Sequence, residues 1–319
     1  MRNLARIALA TSLFLASCGG GSGGDGNEGN NSGSQQSVPA KPYITQTALY
    51  NEEPLRGIQL IIQDNSDNET GFVLERRKNY GSYSQLETFS QKGGTGVRFL
   101  YSDLGLDKNT NYTYRIRAYN NSGNSNWEEI TETSSNVLTS SLSVKSAADT
   151  YVQKNYPTLN FGNLPYIQIQ ESAGINLEAN DAEMGFLFFS LPTIPSYSEG
   201  IDSAELRLIE AGGGGTFYPG KIGIYAAPVF SSWNESTLKW NDYPSWEEVY
   251  SYGEHNPNLS TERQLFINVS NIVKSWYAGS IQNKGFVLFT TDSGKYCTYY
   301  ARESGYNAGI PTLKVNYKW

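Results

Sequence analysis

From Tyr43 onward the chain is written in short runs whose apolar residues recur at every second position. The clearest is Tyr112-Thr113-Tyr114-Arg115-Ile116-Arg117-Ala118, where Tyr112, Tyr114, Ile116 and Ala118 alternate with Thr113, Arg115 and Arg117. A period of two sends one set to each face of a strand, so one face is buried and the other wet. Similar runs (ITQTALY, IQLIIQ, GFVLERR, VRFLYSDL) are separated by segments rich in Asn, Asp, Gly and Ser, such as NSDNETG and QKGGTG. Those residues favour turns, so residues 41–139 are expected to form an antiparallel β-sandwich. A Ser-rich linker follows at residues 133–146. Residues 142–319 then supply about nine further runs, including YIQIQ, GFLFFSL, KIGIYAA, LFINV and CTYYARE. That number suits a second, jelly-roll-like sandwich, and the fold class is all-β. GFLFFSL is apolar on both faces, which fits either a covered central strand or a platform. The one helix expected spans residues 271–277, with Ser270 as N-cap and Ile272, Val273 and Trp276 on one side.

The N-terminus follows a different rule. Residues 1–17 combine Arg2 and Arg6 with an apolar stretch over residues 7–16, the layout of a secretory signal peptide. It is too short to span a membrane as a stable helix. Leu15-Ala16-Ser17-Cys18 resembles a bacterial lipobox, which implies cleavage before Cys18 and lipidation of its thiol. Several acyl chains on one residue retain a protein at a membrane. Gly19 in place of Asp favours the outer membrane, on its periplasmic face or the cell surface. Residues 18–40 are dominated by Gly, Ser and Asn and form a flexible tether.

Charge and composition remove several functions. Twenty-four Lys and Arg against 31 Asp and Glu give −7, so nucleic acid is not an expected partner. A single histidine, His255, excludes multi-His metal sites and leaves any Ser-His-Asp or Cys-His mechanism hanging on one residue. With Cys18 committed to lipid, Cys297 is left unpaired. The run Asp64 to Glu69 lacks the spacing of a calcium loop and reads as turn chemistry. Carboxylate pairs such as Asp181 and Glu183, or Asp242 and Glu247, have no spacing that selects a glycosidase pair, so no catalytic residue is assigned.

Two stretches resemble known families. Leu104 to Leu106, Thr110, the run from Tyr112 to Asn120, Gly123 and Ser125 resemble the E–F corner, F strand and F–G turn of a fibronectin type III domain, and Gly71 to Arg76 its C strand. The resemblance implies a spacer. Residues 142–319 resemble the disaggregatase-related repeat (DNRLRE) domain, which is related to carbohydrate-binding module family 96. Ala148-Asp149-Thr150-Tyr151-Val152, Asn160-Phe161-Gly162, Gly185 to Leu191, and Trp233-Asn-Glu-Ser-Thr-Leu-Lys-Trp240-Asn241 with Pro244 carry it. So do Ala301-Arg302-Glu303 and Pro311 to Tyr317. This resemblance implies a non-catalytic polysaccharide-binding module, with alginate-like acidic glycans among the family's ligands. Phe188 and Ser190 stand where the family often has a basic residue and Asp. Residues 142–319 hold 12 basic and 17 acidic side chains, so acidic and neutral glycans both stay open.

Sugars are held by aromatic faces and a few polar groups. Five of the six Trp and 15 of the 23 Tyr lie in residues 142–319. Along Lys295 to Glu303, Cys297, Tyr299 and Ala301 form the set expected in the core. Tyr296, Thr298, Tyr300 and Arg302 form the other set, either a sugar platform or rings covering a sheet with Arg302 paired to a carboxylate. In the second aromatic group, Trp233 and Trp240 belong to the family framework, and Trp246, Tyr250 and Tyr252 are the freer rings. Asp149 either opens its strand with a hydrogen bond or holds a structural calcium, and no other cofactor is expected. The alternatives to glycan binding are an adhesive surface protein contacting other proteins and, less favoured, a polysaccharide-degrading enzyme.

Overall fold

The computed structural model describes residues 36–170, 182–211, 220–247, 249–256, 263–292 and 294–319. The signal peptide, Cys18, most of the tether and Asp181 lie outside the described residues. The first sandwich contains β1 (Tyr43–Leu49), β2 (Gly57–Gln63), β3 (Gly71–Lys78), β4 (Ser84–Ser90), β5 (Arg98–Leu104), β6 (Asn111–Asn120), β7 (Gly123–Asn124) and β8 (Glu128–Thr133). Strands β1-β2-β5 form one antiparallel sheet. The other runs β4-β3-β6, with β7 and β8 both on β6. Ile58, Leu60 and Ile62 of β2 meet Phe72, Leu74, Tyr114, Ile116 and Ala118 across the gap, all fully buried. The alternation read in β6 therefore is its core pattern. The Tyr112 hydroxyl accepts the Asp107 N–H at 3.0 Å, a tyrosine-corner contact that fixes entry into β6.

Local chemistry settles two details. Asp64 accepts the Ser66 N–H at 3.0 Å, so the acidic run builds an Asx turn. Residues 36–40 lie along that turn, with the Gln36 amide donating to the Asn68 carbonyl at 2.9 Å and Asn120 to the Ser37 carbonyl at 2.8 Å.

The second sandwich contains β9 (Thr139–Lys145), β10 (Ala148–Gln153), β11 (Tyr166–Gln170), β12 (Glu183–Phe188), β13 (Gly200–Ile209), β14 (Ile222–Pro228), β15 (Ser251–His255), β16 (Gln264–Asn268), β17 (Phe286–Phe289), β18 (Tyr296–Tyr300) and β19 (Thr312–Lys318). One sheet runs β16-β13-β19-β9. The other runs β15-β14-β17-β12-β11-β18, with β10 also paired to β12. Leu206, Leu208, Leu313 and Val315 from the first sheet pack on Ile222, Ile224, Leu187 and Leu288 from the second. Helix α1 (Ser270–Tyr277) buries Ile272, Val273 and Trp276, the expected face, and Trp276 lies 4.6 Å from Phe286. Ser270 differs from its expected role. It is the first helical residue, and its hydroxyl contacts Asn268 rather than capping the helix.

The Ser-rich linker is a correction. Residues 139–145 are an edge strand paired with β19 along its length, from Lys145 opposite Thr312 to Thr139 opposite Lys318. Leu142 and Val144 alternate with Ser and turn their side of the strand towards the core, a period that composition alone concealed. In GFLFFSL, Phe186 and Leu187 are both fully buried on opposite faces, so the strand is central and covered.

Candidate functional site

The outer face of the second sheet carries its own apolar layer. Val152, Met184, Phe186, Ala227, Val287 and Phe289 form it, and residues 230–247 fold across it with Trp233, Leu238, Trp240, Tyr243 and Trp246. Trp233 sits edge-on to Phe186 at 5.8 Å and donates its indole N–H to the Lys284 carbonyl at 2.9 Å. Trp233 is thus a structural ring, as the framework reading expected. Within this covering loop lies a cleft lined largely by polar groups, among them Ser231, Asn234, Thr237 and Asp242.

Past the edge of the loop the aromatic layer continues into solvent. Phe289 of β17, Tyr225 of β14 and Tyr252 of β15 occupy paired positions on adjacent strands. Their rings form a row, with centroids 5.3 Å apart from Phe289 to Tyr225 and 5.1 Å from Tyr225 to Tyr252. Tyr250 stands edge-on to Tyr225 at 5.2 Å. Trp246 continues the row from Phe289 at 6.1 Å, followed by Tyr243 and Trp240. Tyr250 is 47% exposed and Tyr252 is 50% exposed, while Trp246 and Tyr225 are half-buried. Gly223 makes this geometry possible. A Cβ there would lie 2.5 Å from the Tyr252 ring, so only glycine lets the ring lie back over β14.

Charged groups edge the row in pairs. Lys221 bonds Glu254 at 2.6 Å, and the Tyr252 hydroxyl donates to Glu254 at 3.1 Å. Partial burial and the Glu254 carboxylate push the Tyr252 hydroxyl up to about 12, so it stays a donor. Asp292 accepts the Gly223 N–H at 2.8 Å and lies 3.4 Å from the Lys295 ammonium. Trp246, Tyr250 and Tyr252 are thus brought together. Tyr225 and Phe289 are the members that the sequence reading missed. The signal was present in KIGIYAA, where Gly223, Tyr225 and Ala227 on the outer face alternate with Ile222, Ile224 and Ala226, which face the other sheet.

The other proposed platform is not an open face. Cys297, Tyr299 and Ala301 are core, as read. Thr298, expected outward, is only 7% exposed, and Tyr296 and Tyr300 are half-buried. Tyr306 packs 4.9 Å from Tyr300, and Gly309 lies against both rings, so the returning loop covers this side. Arg302 has left the strand for a 3-10 turn, Arg302–Ser304, and pairs with Glu235 at 2.6 Å and Glu303 at 2.9 Å.

Arg302 belongs to a polar knot centred on Asp149. Asp149 accepts the Ser146 hydroxyl at 2.6 Å and the Arg302 N–H at 3.1 Å, while its own N–H donates to Glu235 at 2.8 Å. These are the strand-entry bonds that the sequence allowed. Oxygens of Asp149, Glu235 and Glu303 also lie within 4.8 Å of one another, a donor set of the kind calcium uses. The Arg302 guanidinium supplies positive charge at that point. Burial pushes the Asp149 carboxyl up to about 6, with Glu303 and Glu235 adding to the shift.

His255 is spent in the core. Its Nε2 lies 2.8 Å from the Tyr299 hydroxyl and 3.6 Å from the Cys297 sulfur, and all three residues are buried. Burial pushes the Cys297 thiol up to about 12. A polymer has no access to this group.

The outer sheet face of this β-sandwich thus bears a half-exposed row of aromatic rings edged by polar pairs, a combination of apolar faces and hydrogen-bonding groups suited to a small polar ligand. The family model for carbohydrate-binding module family 96 matches residues 140–317, more than half of the chain. The chain belongs to that family. No protein of curated function matches it.

Proposed function

We propose that this protein is a lipid-anchored polysaccharide-binding protein of the cell envelope, held through Cys18 at the outer membrane. Its second sandwich binds the glycan without cleaving it, on the row formed by Trp246, Phe289, Tyr225, Tyr250 and Tyr252. The observation that carries the reading is the exposure of Tyr250 and Tyr252 within one continuous aromatic layer, inside the segment that the family model matches. Rings already packed on one edge lose little conformational freedom on binding, so their exposed faces retain most of the stacking energy. The first sandwich, with its tyrosine corner at Tyr112, is a fibronectin type III-like spacer that holds the binding face away from the lipid.

Glycan-array screening of the full chain tests the binding. Retention on at least one polysaccharide, competed by its free oligosaccharide and weakened by Trp246→Ala, is expected. No retention on any glycan overturns the reading. Radiolabelled palmitate incorporation that disappears in Cys18→Ser tests the anchor.

A further inference from the structure

We infer that the glycan carried by the aromatic row is uncharged, an inference that rests on reading the row as the sugar site. The two lysines beside Tyr252 are both engaged, Lys221 by Glu254 at 2.6 Å and Lys295 by Asp292 at 3.4 Å. Lys295 also donates to the Lys221 carbonyl, which ties the two sides of this edge together. A uronate or sulfate arriving here meets lysines whose charge a carboxylate already balances, and the repulsion of Glu254 and Asp292 offsets the attraction of the two ammonium groups.

The polar groups that edge the row are otherwise acceptors. Glu254 and Asp292 present carboxylate oxygens whose lone pairs outnumber the bonds they already make. A sugar hydroxyl both donates and accepts and can bond to such groups, whereas a carboxylate oxygen only accepts. An uncharged, hydroxyl-rich chain therefore fits both the ring faces and the acceptors. Its C–H surfaces lie on Tyr225 and Tyr252, and its hydroxyls donate to the carboxylates along the edge. The row crosses β17, β14 and β15, so the chain runs across the strands, with Tyr250 standing at one side.

Affinity electrophoresis of the full chain tests this with pairs of polymers that share a backbone but differ in charge. The probes are hydroxyethylcellulose against carboxymethylcellulose and fully methyl-esterified homogalacturonan against polygalacturonate, with laminarin, pullulan, mannan and alginate completing the panel. At least one neutral polymer is expected to retard the protein, with dissociation constants at least tenfold higher for the acidic polymers in low salt. Tyr252→Ala should abolish the retardation while leaving thermal unfolding within a few degrees of the parent. Glu254→Gln, which releases Lys221, should raise retardation by carboxymethylcellulose or alginate several-fold. Stronger retardation of the parent by acidic polymers, fading as salt rises, overturns the neutral class and leaves glycan binding standing. Retardation that survives both Tyr252→Ala and Tyr250→Ala overturns the placement on the row. Failure of every polymer overturns both this inference and the glycan-binding reading beneath it.

Discussion

Tyr197 of the second sandwich donates its hydroxyl to Glu53 of the first at 2.7 Å, joining residues 144 positions apart. Glu53 also accepts the hydroxyls of Ser140 and Tyr317. Around it, the Arg56 Nε–H donates to the Asn136 carbonyl at 2.9 Å, and Lys108 bonds Glu199 at 2.7 Å. One carboxylate thus gathers three hydroxyls at the junction between the sandwiches.

That junction should stiffen the molecule. Glu53→Ala is expected to broaden the distribution of inter-sandwich angles, seen as an increased radius of gyration in small-angle X-ray scattering, with unfolding temperatures little changed. An unaltered scattering profile would remove Glu53 from this role. The hydrogen bonds from Ser140, Tyr317 and Tyr197 hold the Glu53 carboxyl below its ordinary value. Its contribution is therefore complete above the ordinary glutamate range and lost as pH falls through the lowered value. As pH falls through that lowered value, the parent's scattering should come to match that of the variant at pH 7.

Gly223 offers a test of the aromatic row that does not touch a ring. Gly223→Ala introduces a Cβ against Tyr252, and the half-exposed ring can swing outward at modest cost. Glycan affinity should fall on the order of tenfold, about 1.4 kcal/mol, while melting shifts by only a few degrees. Full affinity in this variant would show that the Tyr252 ring position is unimportant.

Arg302 is expected to act as the built-in cation of the Asp149 knot. Arg302→Gln leaves Asp149, Glu235 and Glu303 without their guanidinium. Because the pair is partly exposed, a loss of roughly 1 to 2 kcal/mol is expected, below the value for a fully buried pair. Calcium should then raise the melting temperature of the variant but not of the parent. A parent whose melting drops on adding EDTA would instead assign calcium to the knot.

Asp149 gives a pH signature. Its folded pKa, about 6, lies above the ordinary aspartate value of 3.8. The stability linked to its protonated form is therefore present below the ordinary value and lost as pH rises towards about 6. Asp149→Asn should remove part of the decline in melting temperature between pH 4 and pH 6.5. A slope identical to that of the parent would contradict the assignment.

Cys297 should resist chemistry in the folded state. Burial raises its pKa to about 12, so thiolate is scarce at pH 8. Ellman's reagent is expected to react with it only in denaturant. Fast reaction in buffer would mean that the core around His255 opens.

Period-two patterning made β6 and the core set of β18 legible, because alternation is a local property that burial then exploits, whereas β12, apolar on both faces, carried no alternation to read. Tyr250 and Tyr252 were legible as free rings because they lay outside the framework motif. Thr298 and Arg302 were not. The alternation of β18 gave Thr298 its strand face, and Arg302 lies past the end of that strand, but whether a face is open depends on distant chain. Here residues 302–309 return over Tyr300, and Glu235, 67 positions away, captures Arg302. Phe289 and Tyr225 were hidden for the same reason, since apolar strands look alike whether the layer above them is complete or stops short.

The sequence by itself determined the all-β class, the apolar faces of most strands and the concentration of aromatic rings in residues 142–319. These follow from periodicity and composition, which act between near neighbours along the chain. Only the tertiary structure decided which rings stay uncovered, that Arg302 closes a carboxylate knot, and that each lysine beside the aromatic row already has a partner. Those outcomes depend on groups tens to hundreds of residues apart meeting across sheets, and no local pattern encodes which long-range contact covers a given face.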